Sequence, residues 1–127
     1  MNRILSGISA QSISAQSVVL VLILIGGNLI FNIAANASFK VSAASSNWRS
    51  FLTWQVIGNL AGLITVITLT WLLKYLPLRV AFPVTTGLAV IGVQLIAAGW
   101  IFGEAITPVQ WLGTFLVVIG IALLSGR

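Results

Sequence analysis

Residues 18–39 read VVLVLILIGGNLIFNIAANASF, an unbroken run without a charged side chain. The hydrocarbon core of a bilayer is about 30 Å thick and takes roughly 20 helical residues to cross. The run is long enough, and its apolar residues are continuous rather than alternating, so it reads as a membrane-spanning helix and not as a barrel strand. Within it Asn28, Asn32 and Asn36 recur at i, i+4 and i+8 and stack on one helix face. A carboxamide in hydrocarbon must find a partner, so this face is expected to look into a bundle, a dimer interface or a hydrated cavity. Glue between helices and the lining of a cavity are the two roles open to it.

Three further apolar runs follow, at about 51–73, 80–102 and 108–125. They predict an all-α integral membrane protein, a four-transmembrane-helix bundle over residues 18–127, preceded by a polar arm at 1–17. The first loop is rich in Ser and Asn, the second is the tight turn Lys74 to Arg79, and the third is Gly103 to Thr107, with Pro108 placed to open the last helix. A secretory signal is the competing reading of the first run, since Arg3 precedes it and Ala35-Asn36-Ala37 offers an A-x-A cleavage match. Retention of the run as helix 1 is preferred.

Composition narrows the chemistry. The 127 residues are 59% hydrophobic and 6% charged, against about 25% charged in a soluble domain. Glu104 is the single acid, and there is no Asp, His or Cys. Paired-carboxylate catalysis within one chain, zinc sites, Ser/His/Asp and Cys/His centres and disulfides therefore lack their residue types. No enzyme, metal or cofactor is expected. The six basic residues, Arg3, Lys40, Arg49, Lys74, Arg79 and Arg127, are scattered singly at the ends of apolar runs. That pattern suits anionic headgroups rather than nucleic acid.

Aromatic residues mark the same boundaries. Trp48, Trp54, Trp100, Phe102 and Trp111 fall at one membrane face, and Trp71 and Tyr75 at the other. Arg3, Lys74, Arg79 and Arg127 oppose Lys40 and Arg49 across the bilayer, a bias that puts both termini in the cytoplasm.

Further polar residues extend the amide pattern: Gln55 and Asn59 on helix 2, again at i and i+4, and Gln94 on helix 3. Their convergence would give the bundle a polar, uncharged centre. Pro83, followed by Thr85, Thr86 and Gly87, predicts a kink near residue 80 with freed carbonyls for the threonines or water to satisfy. Gly58 and Gly62 on helix 2, Gly92 and Gly99 on helix 3, and Gly113 and Gly120 on helix 4 each align along one face, where close helix packing is expected. The helix 4 pair also suits a dimer seam. Glu104 reads as a solvated loop residue or a cap, and Lys40 as a snorkelling cation or a phosphate contact.

The stretch Leu76-Pro77-Leu78-Arg79-Val80-Ala81-Phe82-Pro83-Val84-Thr85-Thr86-Gly87 carries a resemblance, continued by Phe102-Gly103-Glu104 and by Trp111-Leu112-Gly113 through Gly120. Over about residues 21–125 the chain resembles the small multidrug resistance branch of the drug/metabolite transporter superfamily, four-helix proteins that usually dimerise. Lys40 matches the lysine that ends the family's first helix. The proton-coupled exporters carry an essential glutamate eight residues before that lysine, and Asn32 stands there. The family's pocket aromatics on helix 3 correspond to Phe82 and Thr85. An amide does not alternate between proton and cation near neutral pH, so proton exchange through this position is not expected.

The resemblance then implies the divergent relatives that lack the glutamate, such as subunits that flip a lipid-linked aminosugar. Expected is a small transporter or flippase subunit for a polar or lipid-linked solute, in the plasma (inner) membrane of a prokaryote. Its substrate contacts would be Asn28, Asn32, Asn36, Gln55, Asn59, Phe82, Thr85 and Gln94, with Lys40 and Arg49 toward headgroups or a phosphate. Partners would be membrane lipids and a second four-helix subunit, as homodimer or heterodimer, or the helices of a larger complex. The alternative is an accessory subunit of such a complex that transports nothing.

Overall fold

A computed structural model describes residues 15–126; the arm at 1–14, Arg3 and Arg127 lie outside the described residues. Helix α1 runs Ala15–Ala43, α2 Trp48–Leu72, α3 Leu78–Gly92 and α4 Pro108–Ser125. No strand occurs among the described residues. Beyond Gly92, α3 continues unbroken as a π-helical segment, Val93–Ile101. By length and composition the four helices are each able to cross a membrane.

Caps set the ends. Asn47 is extended and its side chain accepts the Ser50 N–H at 2.7 Å, so α2 starts at Trp48, earlier than the apolar run suggests. Pro77, with φ −66°, precedes α3. Thr107 and Gln110 form a reciprocal capping box that opens α4 with Pro108 in its first turn. Helix α1 continues past Phe39 to Ala43, because Ser42 and Ser45 tie the turn together: Ser42 donates to the Phe51 carbonyl and Ser45 meets the Ser50 hydroxyl.

The interior is built of small residues. Ala35, Ala61, Ala81 and Ala97 are buried together with Ile33 and Leu72, while Leu22, Ile23, Leu60, Phe115 and Leu123 face outward. This inversion of the soluble pattern is what lipid as solvent produces: close backbone approach inside, large apolar side chains outside. Helices α1 and α2 form an antiparallel pair, with the Phe39 ring seated on Gly58. Leu29 and Ile33 of α1 pack on Gly92 of α3, and Ile121 and Val117 of α4 on Gly87. Helix α4 packs against the α-helical half of α3 and is joined to the π-helical half by a hydrogen bond from Gln94 to the Gln110 carbonyl. Gly99 meets Ile106, whereas a methyl group added at Gly62, Gly113 or Gly120 would touch nothing, so those three do not mediate packing within the chain.

Pro83 sits inside α3, and the Thr85 hydroxyl donates to the carbonyls of Ala81 and Phe82. The carbonyl that proline deprives of its helical donor belongs to Arg79, so Thr85 does not serve the expected repair. The hydrogen-bond register instead changes from Val93, ten residues later, and the segment closes where the Phe102 N–H reaches the Ala97 carbonyl.

Candidate functional site

Two polar groups are built into the bundle. The first begins at Asn28, only 3% exposed, where α1 faces α2. Its amide nitrogen donates to the Thr65 carbonyl at 2.9 Å and to the Thr68 hydroxyl at 3.1 Å, and its oxygen accepts from Asn32 at 3.0 Å. Both amide hydrogens are committed, so this carboxamide is interhelical glue. Asn36 in turn donates to the Asn32 backbone carbonyl at 2.9 Å. The row therefore changes character along its length. Asn28 is buried, Asn32 half-buried and Asn36 exposed. The side-chain oxygens of Asn32 and Asn36 have no protein donor among the described residues.

Gln55 and Asn59 are bonded to each other within α2, and Asn59 is exposed. The Phe39–Gly58 and Ser42–Phe51 contacts of the antiparallel pair put Asn59 at the depth of the Asn36 turn. No ionisable side chain lies within the described spans except at their ends: Lys40, Arg49 and Arg79. The spans thus offer amides and hydroxyls, groups whose charge does not change near neutral pH.

The second group lies at the membrane end that carries Trp48, Trp100 and Trp111. Lys40 Nζ and Glu104 Oε1 are 2.6 Å apart, and both side chains are about half exposed, 53% and 46%. Lys40 also stands 6.0 Å from the Phe102 ring centroid. Glu104 is thus a solvated loop residue that is also ion-paired, and the cap of α4 is Thr107. Gly103, with φ +64°, takes the left-handed turn that brings Glu104 back toward α3. Where α3 and α4 separate, a cleft of about 390 Å³ opens, lined by Gln94, Glu104, Gln110, Thr114 and the small residues Ala98, Ala105 and Gly113.

The amides expected to meet at one centre are thus divided. Gln94 donates to the Gln110 carbonyl on the far side of α3 from the asparagine row. Phe82 lines a separate surface cavity at the opposite membrane end with Leu78, Arg79, Pro83 and Leu124. Thr85 is buried on its own helix, and Arg49 is exposed near the start of α2. Thr65, Thr68, Gln110 and Thr114 were not singled out in the sequence. The Thr-x-x-Gln box at 107–110 is a signal that marks Gln110, and the Thr65/Thr68 spacing places two hydroxyls on one face of α2.

Among the described residues the chain is all-helical, with four helices long and apolar enough to cross a membrane, an uncharged amide row and an amphipathic cleft at one end. Compared with protein-family models, curated proteins and solved structures, the chain matches none.

Proposed function

We propose that the chain is a small membrane transporter or flippase subunit for a polar or lipid-linked solute, not coupled to protons through helix 1. The reading rests on Asn32. Its carboxamide is half-buried in a transmembrane helix, anchored by one bond to Asn28, and keeps a carbonyl oxygen for a hydrogen-bond donor. Asn36 and Asn59, both exposed, lie at the depth of the next turn. Such acceptors in hydrocarbon suit hydroxyl-rich groups such as sugars. The absence of a carboxylate at position 32 sets the chain apart from the proton-coupled members of the small multidrug resistance branch that it resembles. A plasma (inner) membrane location and a second four-helix subunit, identical or similar, belong to the same proposal.

Reconstitution tests it. In vesicles bearing a fluorescent short-chain glycosyl lipid on both leaflets, the protein is expected to speed loss of the inner-leaflet signal to an impermeant quencher. Asn32→Ala is expected to slow that phase about tenfold, the scale of one lost hydrogen bond to a polar substrate. Rates equal to those of protein-free vesicles would contradict transport.

One observation favours the alternative of an accessory subunit: α4 packs on a single neighbour and is almost wholly exposed along its length. A helix presented in this way suits docking to a larger assembly. Stoichiometric retention of a large membrane partner through mild detergent extraction, with no activity of the isolated chain, would carry that reading instead.

A further inference from the structure

The cleft between α3 and α4 lies against the π-helical segment, which contributes Gln94 and Ala98 to it. The two helices touch where Gly87 receives Ile121 and Val117, and they diverge toward the loop that joins them. There the Phe102 N–H bonds the Ala97 carbonyl and the Glu104 N–H the Ala98 carbonyl at 2.8 Å, which turns the chain end inward over the opening. The opening reaches from Glu104 at its mouth to Val117, nine residues into α4. At about 1.5 Å per residue this is a descent from headgroup level well into the hydrocarbon. Trp100, 81% exposed, and Trp111 mark the headgroup level on either helix.

Hydrogen-bond inventory defines what fits. The Thr114 hydroxyl is committed to the Gln110 carbonyl, and the Gln110 side-chain oxygen to the Thr107 N–H. The Gln94 amide nitrogen is directed at the Gln110 carbonyl. Left for a ligand are two acceptors, the second carboxylate oxygen of Glu104 and the carbonyl oxygen of Gln94, together with the amide hydrogens of Gln110 and the second amide hydrogen of Gln94 as donors. Beside them Lys40 has three ammonium hydrogens, one directed at Glu104. Opposite charges thus lie side by side at the mouth of an amphipathic cleft, the arrangement that complements a zwitterion. No aromatic side chain lines the cleft, and the one ring near its mouth, Phe102, is faced by Lys40, so no aromatic cage is formed for a quaternary ammonium. A primary ammonium, with three hydrogens to donate, matches the acceptors.

We propose that this cleft binds a zwitterionic phospholipid with a primary-ammonium headgroup, its ammonium on Glu104 and Gln94 and its phosphate on Lys40. The site is separate from the asparagine row and does not depend on whether that row moves a solute.

Native mass spectrometry of the full chain, titrated with dioleoyl phosphatidylethanolamine or dioleoyl phosphatidylcholine, tests it. The ethanolamine lipid is expected to bind about tenfold more tightly, the lower end of the scale of one charge-assisted hydrogen bond. Glu104→Gln is expected to bring the ratio near one and to leave the choline lipid unchanged. Gly113→Leu fills the cleft from a position where an added methyl meets no neighbour, and should reduce binding of the ethanolamine lipid even if Glu104→Gln fails to fold. Equal binding of the two lipids by the unsubstituted chain, or a preference that survives Gly113→Leu, would overturn the proposal. Equal retention of water-soluble glycerophosphoethanolamine would overturn its assignment to a lipid.

Discussion

Asn28 and Asn32 are four residues apart and chemically identical, yet the fold gives them different work. Asn28 has both amide hydrogens on α2, so its removal leaves the Thr68 hydroxyl and one lone pair of the Thr65 carbonyl without that donor. Asn28→Leu is expected to lower stability in detergent by about 0.6–2 kcal/mol, the range of interhelical hydrogen bonds in membranes. Reversible unfolding followed by circular dichroism measures it. In a double-mutant cycle with Thr68→Val, the coupling should be near 0.6 kcal/mol, whereas the same cycle between Asn36 and Thr68 should give none. The sequence placed all three asparagines on one face but left glue and cavity lining open. Spacing fixes the face of a helix, while the neighbour that covers each turn of it is decided by the crossing of α1 over α2. Glu104 shows the same limit: its partner, Lys40, lies far away in the chain and is brought near by the turn at Gly103.

The elements themselves were legible because length, continuity and caps act locally. Four apolar runs gave four helices, and Pro108 behind Thr107 marked the start of α4 to the residue. The π-helical segment Val93–Ile101 was not legible, since a widened hydrogen-bond ladder leaves no periodic mark in VQLIAAGWI, where nearly every residue is apolar. Glycine spacing was legible only as potential. Gly58 carries the Phe39 ring, whose atoms would stand 2.5 and 2.7 Å from an added methyl, whereas Gly62 one turn later meets nothing. Gly58→Ala is expected to cost about 1–3 kcal/mol as the ring is displaced, and Gly62→Ala to leave the melting temperature unchanged or raise it slightly. Thermal unfolding in one detergent compares the pair directly; equal losses would contradict the packing described for α1 and α2.

For the molecule as a whole, charge among the described residues is confined to the ends of the spans and the loops between them, and the spans hold amides, hydroxyls and small apolar residues inside. Polar function in such a bundle rests on hydrogen bonding, because no carboxylate is present in the described spans to take up and release a proton. The large apolar side chains turned outward are matched to lipid, and α4 packs against α3 alone and is exposed over most of its length. Vesicles containing the purified chain and the fluorescent glycosyl lipid, assayed with and without an imposed pH gradient, give the most direct test of this uncharged interior. The expected result is the same rate under both conditions, slowed equally in both by Asn32→Ala; a rate driven by the gradient and abolished by that substitution would contradict it.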